Sequence, residues 1–182
     1  MNTYYAGIGS RETPNDVLVY FTKLAAYLST KGFTLRSGGA EGADKAFEIG
    51  CDKVNGKKEI YLPWKGFEKS SSKLIVSNTK AFEIAQNFHP NWSRLSEGAK
   101  KLQARNSHQV LGDDLETPSS FIVCWTKNGK GQGGTGQALR IAKHYKIPIF
   151  DAGSYMNVDE IKVNLKEFLL SNGILSENDI TK

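Results

Sequence analysis

Phe33-Thr34-Leu35-Arg36-Ser37-Gly38-Gly39-Ala40-Glu41-Gly42-Ala43-Asp44 passes from a β-forming stretch, through a serine and three glycines, into a helical pattern. Phe33-Thr34-Leu35 reads as a strand broken at Ser37-Gly38-Gly39. A helix fits from Gly42 to about Val54, with Ala43, Ala46, Phe47 and Gly50 along one stripe. The same layout stands on either side of this segment. Upstream, Tyr4-Tyr5-Ala6-Gly7-Ile8 is short, apolar and rich in β-formers, and it stops at Gly9-Ser10-Arg11. Thr13-Pro14 then opens a helix, with Thr13 as cap, Pro14 at the first helical position and Asp16 three residues past the cap. Val17, Leu18, Phe21, Leu24, Ala25 and Leu28 follow at the helical period until Lys31-Gly32. Downstream, Glu59-Ile60-Tyr61-Leu62 is a third strand closed by Pro63. Phe121-Ile122-Val123-Cys124-Trp125 is the clearest buried strand, and a glycine-rich loop follows it into a helix from Thr135. Ile147-Pro148-Ile149-Phe150 is a last strand.

Strands alternating with helices imply right-handed crossovers, and hence a mostly parallel sheet flanked by helices on both faces, an α/β fold. The stretch from about 64 to 95 is an irregular insert: Trp64 to Ser77 reads as a loop, Lys80 to Asn87 as a short helix, and His89-Pro90-Asn91 as a break. Ser96 to Val110 is helical. Ile161, Leu165, Phe168 and Leu169 mark a C-terminal helix at about 158–172.

The chain has 182 residues, 39% of them hydrophobic and 24% charged, which sets one ordinary globular domain over 1–182 and excludes low-complexity disorder. There is no repeat, no apolar run near the ~20 residues of a membrane span, and no signal layout in Met1-Asn2-Thr3-Tyr4-Tyr5. Cys51 and Cys124 are too few for a disulfide framework and read as buried thiols of a reducing cytosol, so the expected location is cytoplasmic. A net charge of +5 favours anionic partners without demanding them.

A parallel sheet places ligands in a crevice at the carboxyl ends of its strands, so the residues that follow each strand carry the functional signal. Gly9-Ser10-Arg11 offers close backbone approach, a hydroxyl and a planar charged fork. Ser37-Gly38-Gly39 leads into a helix whose backbone N–H groups suit a phosphate, without matching a Walker A loop or G-x-G-x-x-G. Gly129-Lys130-Gly131-Gln132-Gly133-Gly134-Thr135-Gly136-Gln137 is a second glycine-rich entry to a helix, and two such elements in one small α/β chain are more specific than either alone. Trp64 and Trp125 lie at strand ends, where aromatic faces stack on nucleobases; Trp92 reads as packing. Catalytic constellations are sparse. His89, His108 and His144 are scattered without metal-ligand spacing, neither a metal nor a cofactor is expected, and Asp113-Asp114 lies in a polar turn. Glu12, Glu41 and Asp44 are the carboxylates with a candidate role; Glu41 and Asp44 either serve catalysis or act as acidic first-turn residues favoured by the helix dipole.

Gly7-Ile8-Gly9-Ser10-Arg11, together with Ser37-Gly38-Gly39-Ala40-Glu41-Gly42-Ala43-Asp44-Lys45-Ala46, resembles the Rossmann-like domain of the DprA/Smf proteins. Those carry a Gly-Ser-Arg element after the first strand and Ser-Gly-x-Ala-x-Gly-x-Asp after the second. The chain also looks like small DprA-like proteins of bacteriophages, which would put it in the host cytoplasm. Both groups belong to the SLOG superfamily, with the LOG nucleotide phosphoribohydrolases. The resemblance covers roughly residues 4 to 151 and implies a Rossmann-like three-layer fold. In the LOG pattern an Arg-Lys pair precedes a strand and a Gly-Gly-x-Gly-Thr motif; here Arg105-Asn106 and Gly133-Gly134-Thr135-Gly136-Gln137 hold those places. By resemblance, Arg105 and Thr135 to Gln137 contact phosphate and ribose. Leu139 and Arg140 stand where LOG enzymes carry their acidic pair, so the usual catalytic glutamate is missing at its place.

Three readings fit. The first is binding of a phosphorylated nucleotide or nucleotide-derived signal, through Gly9, Ser10, Arg11, Ser37, Gly38, Gly39, Trp64, Arg105, Trp125 and Gly133 to Gln137. The second is N-glycosidic nucleotide hydrolysis with Glu41 or Asp44 as the carboxylate. The third is DprA-like single-stranded DNA binding, in which affinity falls with salt. SLOG relatives commonly form dimers, so a homodimer is expected, with the apolar C-terminal helix either at that interface or over the sheet.

Overall fold

The computed structural model describes residues 3–180; residues 1–2 and 181–182, the ends of the single domain read from sequence, lie outside that range. Six strands form one parallel sheet: β1 Tyr4–Gly9, β2 Thr34–Ser37, β3 Lys58–Leu62, β4 Leu74–Ile75, β5 Phe121–Trp125 and β6 Ile149–Asp151, in the order β4-β3-β2-β1-β5-β6. The chain builds outward from β1 on one side, then returns to lay β5 on the other. The order therefore reverses between β1 and β5, where Gly9 pairs with Trp125. That reversal is where a crevice opens in sheets of this kind.

Helices α1 Asn15–Thr30, α2 Ala43–Lys53 and α6 Val158–Ser171 cover one face; α3 Thr79–Phe88, α4 Glu97–Leu111 and α5 Gly133–His144 cover the other; α7 Glu177–Ile180 ends the described chain. Strand alternation divides the core accordingly. Phe121 and Val123 of β5 join Phe21, Phe47 and Leu165 on the first face, while Ile122 and Cys124 join Ala104, Ala138 and Ile141 on the second. This is the three-layer, Rossmann-like α/β arrangement. α6 buries Ile161, Leu165 and Leu169 over the sheet. Gly50 lets α1 and α2 approach closely, since a Cβ there would collide with the Thr22 carbonyl.

Several local expectations need correction. Thr13 does not cap α1: the helix starts at Asn15, and the Thr13 hydroxyl donates instead to the Ser10 carbonyl at 2.6 Å, fastening the turn after β1. The stretch expected as a loop from Trp64 to Ser77 contains β4, a two-residue edge strand too short to show a period. The last strand begins at Ile149 rather than Ile147. Cys51 and Cys124 are buried free thiols, and burial pushes the Cys124 thiol well up. Among the described residues no helix is long and apolar enough to cross a membrane, and no cluster of His, Cys, Asp and Glu is suited to a metal ion.

Candidate functional site

A cleft of about 520 Å³ opens at the β1–β5 reversal, between the turn after β1, the start of α2, the second half of α4 and the N-terminus of α5. Its floor is polar and buried. Asp44, 4% exposed, accepts the Gly9 N–H at 3.1 Å. The Ala40 and Gly38 N–H groups also hydrogen-bond it, so one carboxylate fastens the turns that follow β1 and β2. Burial pushes its pKa up to about 6, outweighing Arg105 and these N–H donors.

Arg105 lies opposite, on the buried half of α4. Its Nη1 donates to the Gly38 carbonyl and, at 3.3 Å, to the Tyr61 carbonyl, while Nε donates to Asn106 Oδ1 at 3.0 Å. Its guanidinium carbon sits 5.6 Å from the centre of the Phe67 ring. No carboxylate of the described residues forms an ion pair with Arg105. Desolvation lowers its pKa, and the nearby Asp44 works against that. Asn106 also donates from Nδ2 to the Gly134 carbonyl at 2.9 Å, so the Arg105-Asn106 pair joins the second turn to the glycine-rich entry of α5.

That entry completes the cleft. Gly133, Gly134 and Thr135 line it, and no side chain caps α5, whereas α3, α4 and α6 carry Asn78, Ser96 and Asn157 as side-chain caps. The first N–H groups of a helix have no intrahelical acceptors, and here they adjoin the cleft with a partial positive charge. Gly133 has φ 73°, a left-handed conformation that glycine adopts without penalty. Arg11 is at the rim, 61% exposed, paired with Glu68 at 2.5 Å. Ser10 Oγ accepts the Glu12 N–H at 3.0 Å.

Of the residues named from sequence, Gly9, Ser10, Arg11, Asp44, Arg105, Gly133, Gly134 and Thr135 come together here. The others do not line the cleft. Ser37 is buried, donating to the Gly7 carbonyl at 2.6 Å. Gly38 lies beneath, where a Cβ would strike Arg105 and Gln109, and Gly39 is buried against Leu62 and Ile60 of β3. Gly136 packs on the Gly131 carbonyl, and Gln137 is buried, donating to the Ala85 carbonyl at 2.8 Å. Glu41 is exposed. Trp64 is exposed outside it, edge-on to Phe67, and Trp125 packs against the core beneath α1, α2 and α6 without lining the cleft. Sequence reasoning missed Leu102, Gln103 and Gln109. A signal for the glutamines exists: α4 carries polar residues at i, i+3 and i+4, and its segment from Ala104 to Leu111 is buried all round.

Fold and site together define a Rossmann-like α/β protein with an anion-receptive cleft at the point where its strand order reverses. No family model and no curated protein matches the sequence. Among solved structures, the chain is similar to DNA processing protein A from Helicobacter pylori, a protein whose single-stranded DNA binding mode has been described: TM-score 0.52, 21% identity, over 82% of this chain and 65% of that one. At this identity the likeness is one of fold.

Proposed function

We propose that the chain binds single-stranded DNA, seating backbone phosphate in the β1–β5 cleft. The observation that carries this is the meeting of two guanidinium groups, Arg11 and Arg105, with the uncapped N-terminus of α5 in one cleft whose lining holds a single carboxylate. Phosphate oxygens suit each of these donors. The Helicobacter pylori neighbour binds single-stranded DNA on the same fold, and the Gly9-Ser10-Arg11 and Ser37-to-Asp44 elements resemble those of the DprA/Smf family. A cytoplasmic setting goes with this reading.

The test is fluorescence anisotropy with a labelled oligothymidylate across a salt series. Affinity should fall steeply with salt, and Arg11→Ala, a change at an exposed site, should weaken binding about three- to ten-fold and reduce the log–log salt slope by about 0.7, one single-strand phosphate contact. Affinity indifferent to salt would overturn the proposal.

The volume of the cleft fits a second reading, a single nucleotide or nucleotide-derived ligand, since about 520 Å³ lies within the usual range for small-molecule sites. Mass spectrometry after incubation with mixed nucleotides, including NAD-derived ones, separates the two. Retained nucleotide favours the second reading. Released base makes the protein a hydrolase in which Asp44, the carboxylate of the cleft, is the candidate acid–base group.

A further inference from the structure

A second cleft, of about 540 Å³, lies across the Gly9–Pro14 turn from the first. Trp125 and Tyr155 line it, Tyr155 held by stacking on Phe150 with ring centres 5.3 Å apart. Its polar lining includes the exposed side chains of Asn128 and Ser154, neither of which hydrogen-bonds another described side chain, and Asn157, which is engaged as the cap of α6 and accepts the Glu160 N–H at 2.9 Å; its one charged lining residue is Asp16. The frame is rigid. Asp151 accepts the Thr126 N–H at 2.9 Å and the Gly153 N–H at 3.0 Å, and Thr126 Oγ1 accepts the Gly131 N–H at 2.9 Å. One cluster thus fixes a wall of the second cleft and the glycine-rich loop leading to the first.

Charge divides the two clefts. The first gathers cations and an open helix N-terminus; the second has aromatic rings, neutral hydrogen-bonding groups and a carboxylate that repels phosphate. They are also adjacent: Ser10, in the first, donates its N–H to the carbonyl of Trp125, in the second, at 3.0 Å. We propose that the second cleft is a nucleobase site, in which a base of the bound strand stacks against Trp125 while Asn128 and Ser154 hydrogen-bond its edge. The assignment rests on the reading of the first cleft as the phosphate seat of single-stranded DNA. Neutral, planar and carrying donors and acceptors at its rim, a base matches the lining where a phosphate does not.

The experiment compares an oligothymidylate with an abasic strand of equal length, which has the same phosphates and no bases. Wild type should bind the intact strand about 5- to 100-fold more tightly, the range one or more stacked bases provide. Trp125→Leu should bring that ratio close to one. Trp125 also packs against the core, so Asn128→Asp serves as a surface variant: it adds a second carboxylate to the cleft and should lower the ratio several-fold. Equal binding of both strands by wild type, or an unchanged ratio in Asn128→Asp or a folded Trp125→Leu, overturns the base site while leaving salt-dependent phosphate binding in place. Failure of both strands to bind overturns both assignments.

Discussion

Asp44 is buried beside a cationic cleft, with a pKa pushed up from 3.8 to about 6. The sign of its effect on stability is opposite to that of a salt-bridged carboxylate. Between pH 4 and 6 the folded state holds a proton that the unfolded state has released, so stability falls as pH rises through that window, by roughly 3 kcal/mol at about 1.4 kcal/mol per pKa unit. In Asp44→Asn this slope should flatten, as measured by urea unfolding at several pH values; a wild-type slope kept in the variant would remove Asp44 as its source. The sequence identified Asp44 as an acidic first-turn residue and a candidate ligand neighbour. Its bond to Gly9, 35 positions away, was not legible, because no local pattern encodes which backbone N–H a carboxylate will meet. Trp125 shows the complementary limit. Alternation along β5 puts Phe121, Val123 and Trp125 on one face and Cys124 on the other, but the strand alone does not say which helices will cover each face.

At the scale of elements, the short turn Phe67–Lys69 stands against the cleft as a clasp. Glu68 and Lys69 have φ 48° and 60°, the left-handed region that non-glycine residues seldom enter. Phe67 is buried, anchoring the turn against Arg105 and Trp64. The Glu68 carboxylate then meets Arg11, one of the two guanidinium groups proposed for phosphate, and on that proposal it competes with an incoming strand. Exposed ion pairs contribute at most about 1 kcal/mol, so Glu68→Gln should tighten strand binding about two- to five-fold at low salt, with the gain vanishing as salt rises. Anisotropy titrations at two ionic strengths decide it: unchanged or weaker binding would mean that Glu68 does not compete with the strand. From sequence this segment reads only as part of an irregular insert, and β4, two residues long, is hidden with it. The longer elements were legible because each buries a periodic face: the stripe Val17, Phe21, Leu24, Ala25 and Leu28 is the buried side of α1.

At the scale of the whole molecule, alternation of strands and helices was enough to read a parallel sheet with its functional loops at one edge. The reversal between β1 and β5 comes from which strand β5 pairs with, a long-range choice that leaves no local trace. That reversal makes ligand binding and fold stability one problem, because the cleft is walled by the turn after β1, the starts of α2 and α5, and α4, elements drawn from both halves of the sheet. A ligand bound there and not to the unfolded chain must stabilise the entire domain. At a free oligonucleotide concentration of 100 times Kd the gain is about 2.7 kcal/mol. For a domain of this size that raises Tm by roughly 5–10 °C in a thermal scan. Salt should act on the shift far more than on the unliganded Tm, since phosphate contacts release counterions while the surface ion pairs contribute little. A Tm shift that persists undiminished from low to high salt would mean that the ligand is held by something other than its phosphates, and the cationic cleft would lose its assigned role.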